Sequence, residues 1–159
     1  MNPVVLEDLN RLLLFIHLVA GITCVASSVH LLLRSARAVW GGGTYQPQVK
    51  LHAVTLSAAY LTTVFLGGLI YPVFRVHVRL AYLDAVAPWA TGLFEIKELM
   101  ATLGVIPVLG ILALSRVLDF RHEEHRVYAP LFAGLAGFVM GIVTFNAWCG
   151  WYLGTLGPA

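Results

Sequence analysis

Four long runs of apolar residues, separated by short polar clusters, set the organisation of this chain. The first follows Arg11, continues almost uncharged over residues 12–33 and ends at Arg34 and Arg37. The others cover about 51–74, 93–117 and 128–152. Each run reaches the roughly 20 apolar residues with which a helix crosses hydrocarbon about 30 Å thick. The first is too long for a removable leader and lacks a small-residue cleavage site. Gly41, Gly42, Gly43 and Pro47 break the helix between runs one and two. Residues 75–89 carry Arg75, His77, Arg79 and Asp84 among Val, Leu and Tyr, which is too polar to cross. They predict a short interfacial segment between the second and third spans, with an aromatic rim of Tyr71, Tyr82 and Trp89. The expected fold is all-α: one integral membrane domain over residues 1–159, a four-helix bundle in up-down-up-down order.

Composition strengthens this reading. The 159 residues are 59% hydrophobic and 11% charged, with a mean hydropathy of +0.83, far from the balance of a soluble domain. A net charge of +2 makes no electrostatic footprint for nucleic acid. The expected partners are the lipid bilayer and other membrane subunits, since no length remains for a soluble catalytic domain. Arg34, Arg37, Lys50, Arg116, Arg121 and Arg126 fall on the loop side, six against the four on the termini side, Arg11, Arg75, Arg79 and Lys97. By the positive-inside rule both termini face outward, toward the periplasm if the membrane is a bacterial inner one.

At about 100° per residue, Gly21, Cys24 and Ser28 lie close to His17 on the first span, while Leu14, Leu18, Ile22, Val25, Val29 and Leu32 fill the opposite arc. The first arc, carrying small residues and both His17 and His30, is expected to face protein. On the second span His52, Thr55, Ala59, Thr62 or Thr63, Leu66 and Ile70 form the corresponding stripe. Gly137 and Gly141, with Gly134, predict close approach of another helix to the fourth span. Pro107, with Gly104 and Gly110, predicts a kink in the third.

Ionisable groups at membrane depth are costly and mark candidate sites. His30 and His52 fall at similar depth on adjacent spans, as the two axial imidazoles of a haem b require, with Arg34, Arg37 and Lys50 placed for its propionates. The competing interpretation is a pair of interfacial histidines bonded to backbone or headgroups. His17 and His30 are about 140° out of register, which disfavours two haems stacked along one helix. His17 with Glu95 and Glu98 forms a candidate quinone or proton site near the other interface, or else an ion-pair cluster at the helix ends. Lys97 is expected to point away from Glu95, Glu98 and Thr102 and to snorkel. His122 and His125 lie in a mixed-charge loop and lack the spacing that places two zinc ligands on one helix face. His77 reads as interfacial. Cys24 and Cys149 fall at different depths, so no disulfide is expected, and no catalytic cysteine, phosphate-loop or hydrolase motif is present.

In helix count, size and paired intramembrane histidines the chain resembles, in architecture, the small b-type cytochrome anchor subunits of respiratory complexes. That resemblance implies a haem- and quinone-binding electron-transfer subunit that acts within a larger complex. Two other classes stay open from the residues: a cofactor-free structural or assembly subunit that docks through its glycine faces, and a small transporter or proton channel using the buried carboxylates.

Overall fold

The four apolar runs form helices. In a computed structural model, which describes residues 6–41 and 46–156, no strand occurs among the described residues. A 3-10 turn at Glu7–Leu9 leads into α1, Asn10–Val39. Next comes α2, Gln46–Phe74, continued by a π-helical segment, Arg75–Leu83, and by α3, Asp84–Val86. The third run is divided into α4, Pro88–Leu103, and α5, Val105–Val117. After the short α6, Glu123–Arg126, the chain ends in α7, Ala129–Thr155. Four stretches, Glu7–Val39, Gln46–Val86, Pro88–Val117 and Ala129–Thr155, are long and apolar enough to cross a membrane. The protein is therefore read as an integral membrane protein. Gly42 and Gly43, expected as helix breakers, lie outside the described residues.

The polar segment at 75–89 departs from expectation, because the second helix runs through it to Val86. No Gly or Pro interrupts residues 75–86, so nothing ends the helix there. Pro72 lies inside the helix and donates no backbone hydrogen bond, and wide π turns begin at Arg75. Termination waits for Ala87, extended at φ −144° and ψ 67° immediately before Pro88. The 41 residues of Gln46–Val86 make a rod of about 60 Å, so its last turns extend past a hydrocarbon core of about 30 Å.

Packing follows the small residues. The inward side of α1 is Ala20, Cys24, Ser27, Ser28, Leu31, Ser35 and Ala38, while Leu14, Leu18, Ile22 and Val29 are exposed. His30 is exposed as well, so the protein-facing arc is narrower on that side than the sequence implies. Val25 and Leu32, expected on the outward arc, pack against the core instead, because α7 lies against that side of α1. On α2 the buried set is Gln46, Val49, Ala53, Leu56, Ser57, Ala59, Tyr60, Leu66 and Val73, which shares only Ala59 and Leu66 with the expected stripe. The difference arises because α2 is packed on two sides, by α1 and by α5. Cys24 meets Thr63, and His30 meets His52, on the α1 side. On the other side the Gln46 amide donates to the Leu118 carbonyl, Ser57 Oγ to Val108 O at 3.4 Å and Tyr60 Oη to Ala101 O at 2.7 Å. In both sets numbers rise along one helix as they fall along the other. The inward face of α7 is Phe132, Ala136, Val139 and Val143. Only Gly137 among its three expected contact glycines touches a neighbour, Leu32 of α1 at 3.7 Å from the Cβ it lacks. At Gly134 and Gly141 an added Cβ meets nothing within 4 Å. The predicted glycine face is therefore not consumed within the chain.

A break in the third run falls at Gly104, three residues before Pro107, which has no N–H to offer the Leu103 carbonyl. A Cβ on Gly104 would lie 2.0 Å from Tyr60 Oη and 2.8 Å from its Cζ. Gly104→Ala should therefore destabilise the protein by about 1–3 kcal/mol through overpacking. A lowered melting temperature in detergent, partly restored when Tyr60→Phe removes the hydroxyl, is the expected result. An unchanged melt would mean the close approach does not exist.

Candidate functional site

Where α1, α2, α4 and α7 meet, the absence of side chains opens space. Gly21 on α1 and Gly68 on α2 have nothing within 4 Å of an added Cβ, and a Cβ on Gly67 would be 3.7 Å from the His17 ring. The result is a cavity of about 410 Å³. Its walls are mainly apolar or small, among them Cys24, Val64, Ala101, Val143 and Ala147. Into it come His17 from α1, Tyr60 and Thr63 from α2, Lys97, Glu98 and Thr102 from α4, and Asn146 from α7.

Several of these polar groups are already anchored. Tyr60 donates to Ala101 O, Thr63 Oγ1 to Ala59 O at 2.8 Å, Thr102 Oγ1 to Glu98 O at 3.0 Å and Asn146 Nδ2 to Ile142 O at 2.9 Å. His17 is tied to the Thr63 backbone by a hydrogen bond, while its Nδ1 is buried without a hydrogen-bond partner. Lys97 Nζ sits 5.1 Å from the centroid of Phe94, a cation-π contact that holds its stem along the wall. No disulfide forms, since Cys24 and Cys149 are both free thiols.

The sequence-derived quinone and proton set is thus only partly assembled. His17 and Glu98 line the cavity, whereas Glu95 is turned to Arg79 at 2.8 Å and is absent from the lining. Arg79, itself 3.3 Å from Tyr71 Oη and 3.7 Å from Asp84, uses Glu95 to tie the π-helical segment to α4. Lys97 replaces Glu95 in the site, against the expectation that it snorkels away. The helical spacing of the third run carries the signal for its place. Phe94, Lys97, Ala101, Gly104, Val108, Ile111 and Ser115 recur at helical spacing, and all but Lys97 and Ala101 are buried. The inward stripe of the apolar half of the third run leads straight to the lysine. Asn146 and Thr63 had no such signal, because each is one polar residue in a long apolar helix.

At the opposite end, His30 and His52 do come together, with ring centroids 5.0 Å apart and planes inclined by 15°. They stack, however, on the outside of the α1–α2 pair, where His30 is exposed. Axial ligands address the iron head-on from opposite faces of the porphyrin. With metal–nitrogen bonds of about 2 Å, that arrangement sets the ring centroids roughly 6 Å apart with the macrocycle between them. As placed, the rings face each other and leave no gap for it. Of the expected propionate partners, Arg34 has a buried Nε without a partner, Arg37 is exposed, and Lys50 faces α5.

His122 and His125 lie edge to face, 6.0 Å between centroids, and among the described residues no group of three metal-capable side chains forms. His125 Nδ1 accepts the Asp119 N–H at 3.0 Å, which gives the loop a structural cap. Asp119 also accepts the Arg121 guanidinium, whose charge holds its carboxyl well below the usual carboxylate range. His77 meets Glu7 at 3.2 Å, a contact between the outer ends of the first two helices.

No protein-family model matches the chain, and neither the curated proteins nor the solved structures contain a match.

Two measurements check this geometry. A reduced-minus-oxidised spectrum of the purified chain and of native membranes should show no b-type band that depends on His30; a band abolished by His30→Ala would restore the ligand pair. Because the folded carboxyl of Asp119 titrates lower than the unfolded one, its stabilisation is complete above the unfolded value, about pH 4, and is lost as the pH falls toward the folded value. Asp119→Asn should therefore make the loop at residues 118–128 more protease-sensitive at pH 7, and the gap to the parent should narrow under acid. A gap independent of pH would contradict the Asp119–Arg121 pairing.

Proposed function

We propose that this protein is the membrane subunit of an electron-transfer complex, and that its cavity takes the headgroup of a quinone-class carrier. One observation carries the proposal: a largely apolar space of about 410 Å³ into which His17 and Lys97 project from different helices, with Nδ1 of His17 unpartnered. Small-molecule sites have this make-up, apolar walls with a few convergent polar groups. A quinone headgroup suits it, being flat, apolar at its rim and equipped with two opposed oxygens.

The carrier supplies two-electron chemistry that also requires two protons, and the electrons come from a partner subunit. The residues of this chain handle the rest. His17 holds one oxygen and supplies or removes a proton there. Lys97, restrained over Phe94, holds the other oxygen by a charged hydrogen bond. Glu98 lines the same space, and in this scheme it passes protons between the cavity and the termini-side interface. In this scheme the four helices form an up-down-up-down bundle. The opposed numbering of the helix contacts supports that order, and the six-to-four split of basic residues supports both termini facing outward from a bacterial inner membrane.

Calorimetric titration of a short-chain quinone into the full chain in nanodiscs tests the proposal. Losing a charged or buried hydrogen bond costs about 1.5–3 kcal/mol, so His17→Ala and Lys97→Met should each weaken binding by roughly ten- to a hundredfold. Glu98→Gln should leave affinity near that of the parent and slow proton-coupled turnover in the assembled complex. Absence of binding by the parent, or equal binding by both affinity variants, would overturn the proposal and leave a cofactor-free assembly subunit as the better account.

A further inference from the structure

At the loop end of the molecule a second, smaller recess lies between α2 and α5, about 290 Å³ in volume and lined by Lys50, Val54, Ser115 and Arg116. It shares no residue with the cavity described above. Lys50 belongs to the first turns of α2 and Arg116 to the last turn of α5, so two cations from different helices converge at one membrane interface. Among the described residues neither forms an ion pair. Asp119, the nearest acid in sequence to Arg116, is engaged by Arg121. Two like charges facing one groove without a counter-ion repel each other, and an anion between them turns that repulsion into two charge-assisted hydrogen bonds. Ser115 Oγ is committed to Leu112 O at 2.8 Å, so recognition rests on the two cations.

We propose that this groove binds the phosphate headgroup of an anionic membrane lipid. Its shape distinguishes a lipid from free phosphate. Val54, exposed and one helical turn from Lys50 toward the hydrocarbon, gives the groove an apolar continuation along which a glycerol backbone and acyl chain can lie. Basic recesses between membrane helices at the positive-inside face have the character that selects anionic headgroups. The site takes a phosphodiester lipid such as phosphatidylglycerol in preference to a zwitterionic one. Its occupancy would also clamp α2 to α5 at the end opposite the Tyr60 contact.

Native mass spectrometry of the full chain, released from nanodiscs of equal phosphatidylglycerol and phosphatidylcholine content, tests this. The parent should retain phosphatidylglycerol selectively, and Lys50→Gln with Arg116→Gln should lower that selectivity by about thirtyfold. Arg37→Gln with Arg126→Gln removes the same charge from the neighbouring loop ends, leaves the Asp119–Arg121 pair in place and should leave the selectivity intact. Arg116→Lys, which keeps the charge, should retain most of it even if the glutamine pair folds poorly. Equal retention of both lipids by the parent would overturn the proposal, as would selectivity that survives the glutamine pair or falls equally in the loop pair. Displacement of the lipid by excess inorganic phosphate without detergent-stable lipid binding would assign the groove to the free ion and also overturn it.

Discussion

The seat of Tyr60 on the third helix governs how the four helices meet. Its hydroxyl donates to Ala101 O at 2.7 Å while lying where a side chain at residue 104 would have to be. Only glycine permits that approach, and the same residue divides α4 from α5. One contact thus joins three features: the α2 core, the interruption of the third helix and the wall of the cavity, to which Tyr60 also belongs. In a membrane the hydrophobic effect does not press helices together, so such close seats and a few satisfied polar bonds must do so.

Below this contact the packing is tight and apolar, built on Val108, Ile111, Val139 and Phe132. Above it the helices carry glycines, and space opens. A second cluster closes the outer end, where Phe74 stacks on Phe94 at 4.3 Å and Leu83, Ala90 and Leu153 are buried. The cavity therefore lies between two packed layers, one of which includes the end of the π-helical segment. Arg79 and Glu95 fasten that segment to the helix that carries Lys97 and Glu98.

Much of the architecture could be read from the residues. Long uncharged runs specify spanning helices because hydrocarbon leaves the backbone no other way to satisfy itself, and the first helix sorted into lipid and protein faces much as its leucines and small residues implied. The interruption near Pro107 was equally legible. The course of residues 75–86 was not, because their polarity argues against crossing, whereas helix continuity depends on Gly and Pro, and the first of either after Pro72 is Pro88. The faces of α2 were misjudged for another reason: a helix with neighbours on two sides has no single stripe. The site was half legible. His17 and Glu98 stood out as charges at membrane depth, but Glu95 and Lys97 were exchanged, since the partner that claims Glu95, Arg79, is brought to it only by the helical course of a segment expected to be a connection. Proximity of His30 and His52 followed from their depth; the stacking of their rings did not, because ring orientation depends on side-chain torsions that spacing does not encode.

The glycines around His17 carry one further consequence. The cavity is subtractive: side chains are missing at Gly21, Gly67 and Gly68, and at Gly21 and Gly68 a methyl would enter empty space without touching a neighbour. Its capacity can therefore be changed one carbon at a time while the helices keep their positions. Evolution can resize such a chamber for bulkier or slimmer occupants without rebuilding the frame that holds it.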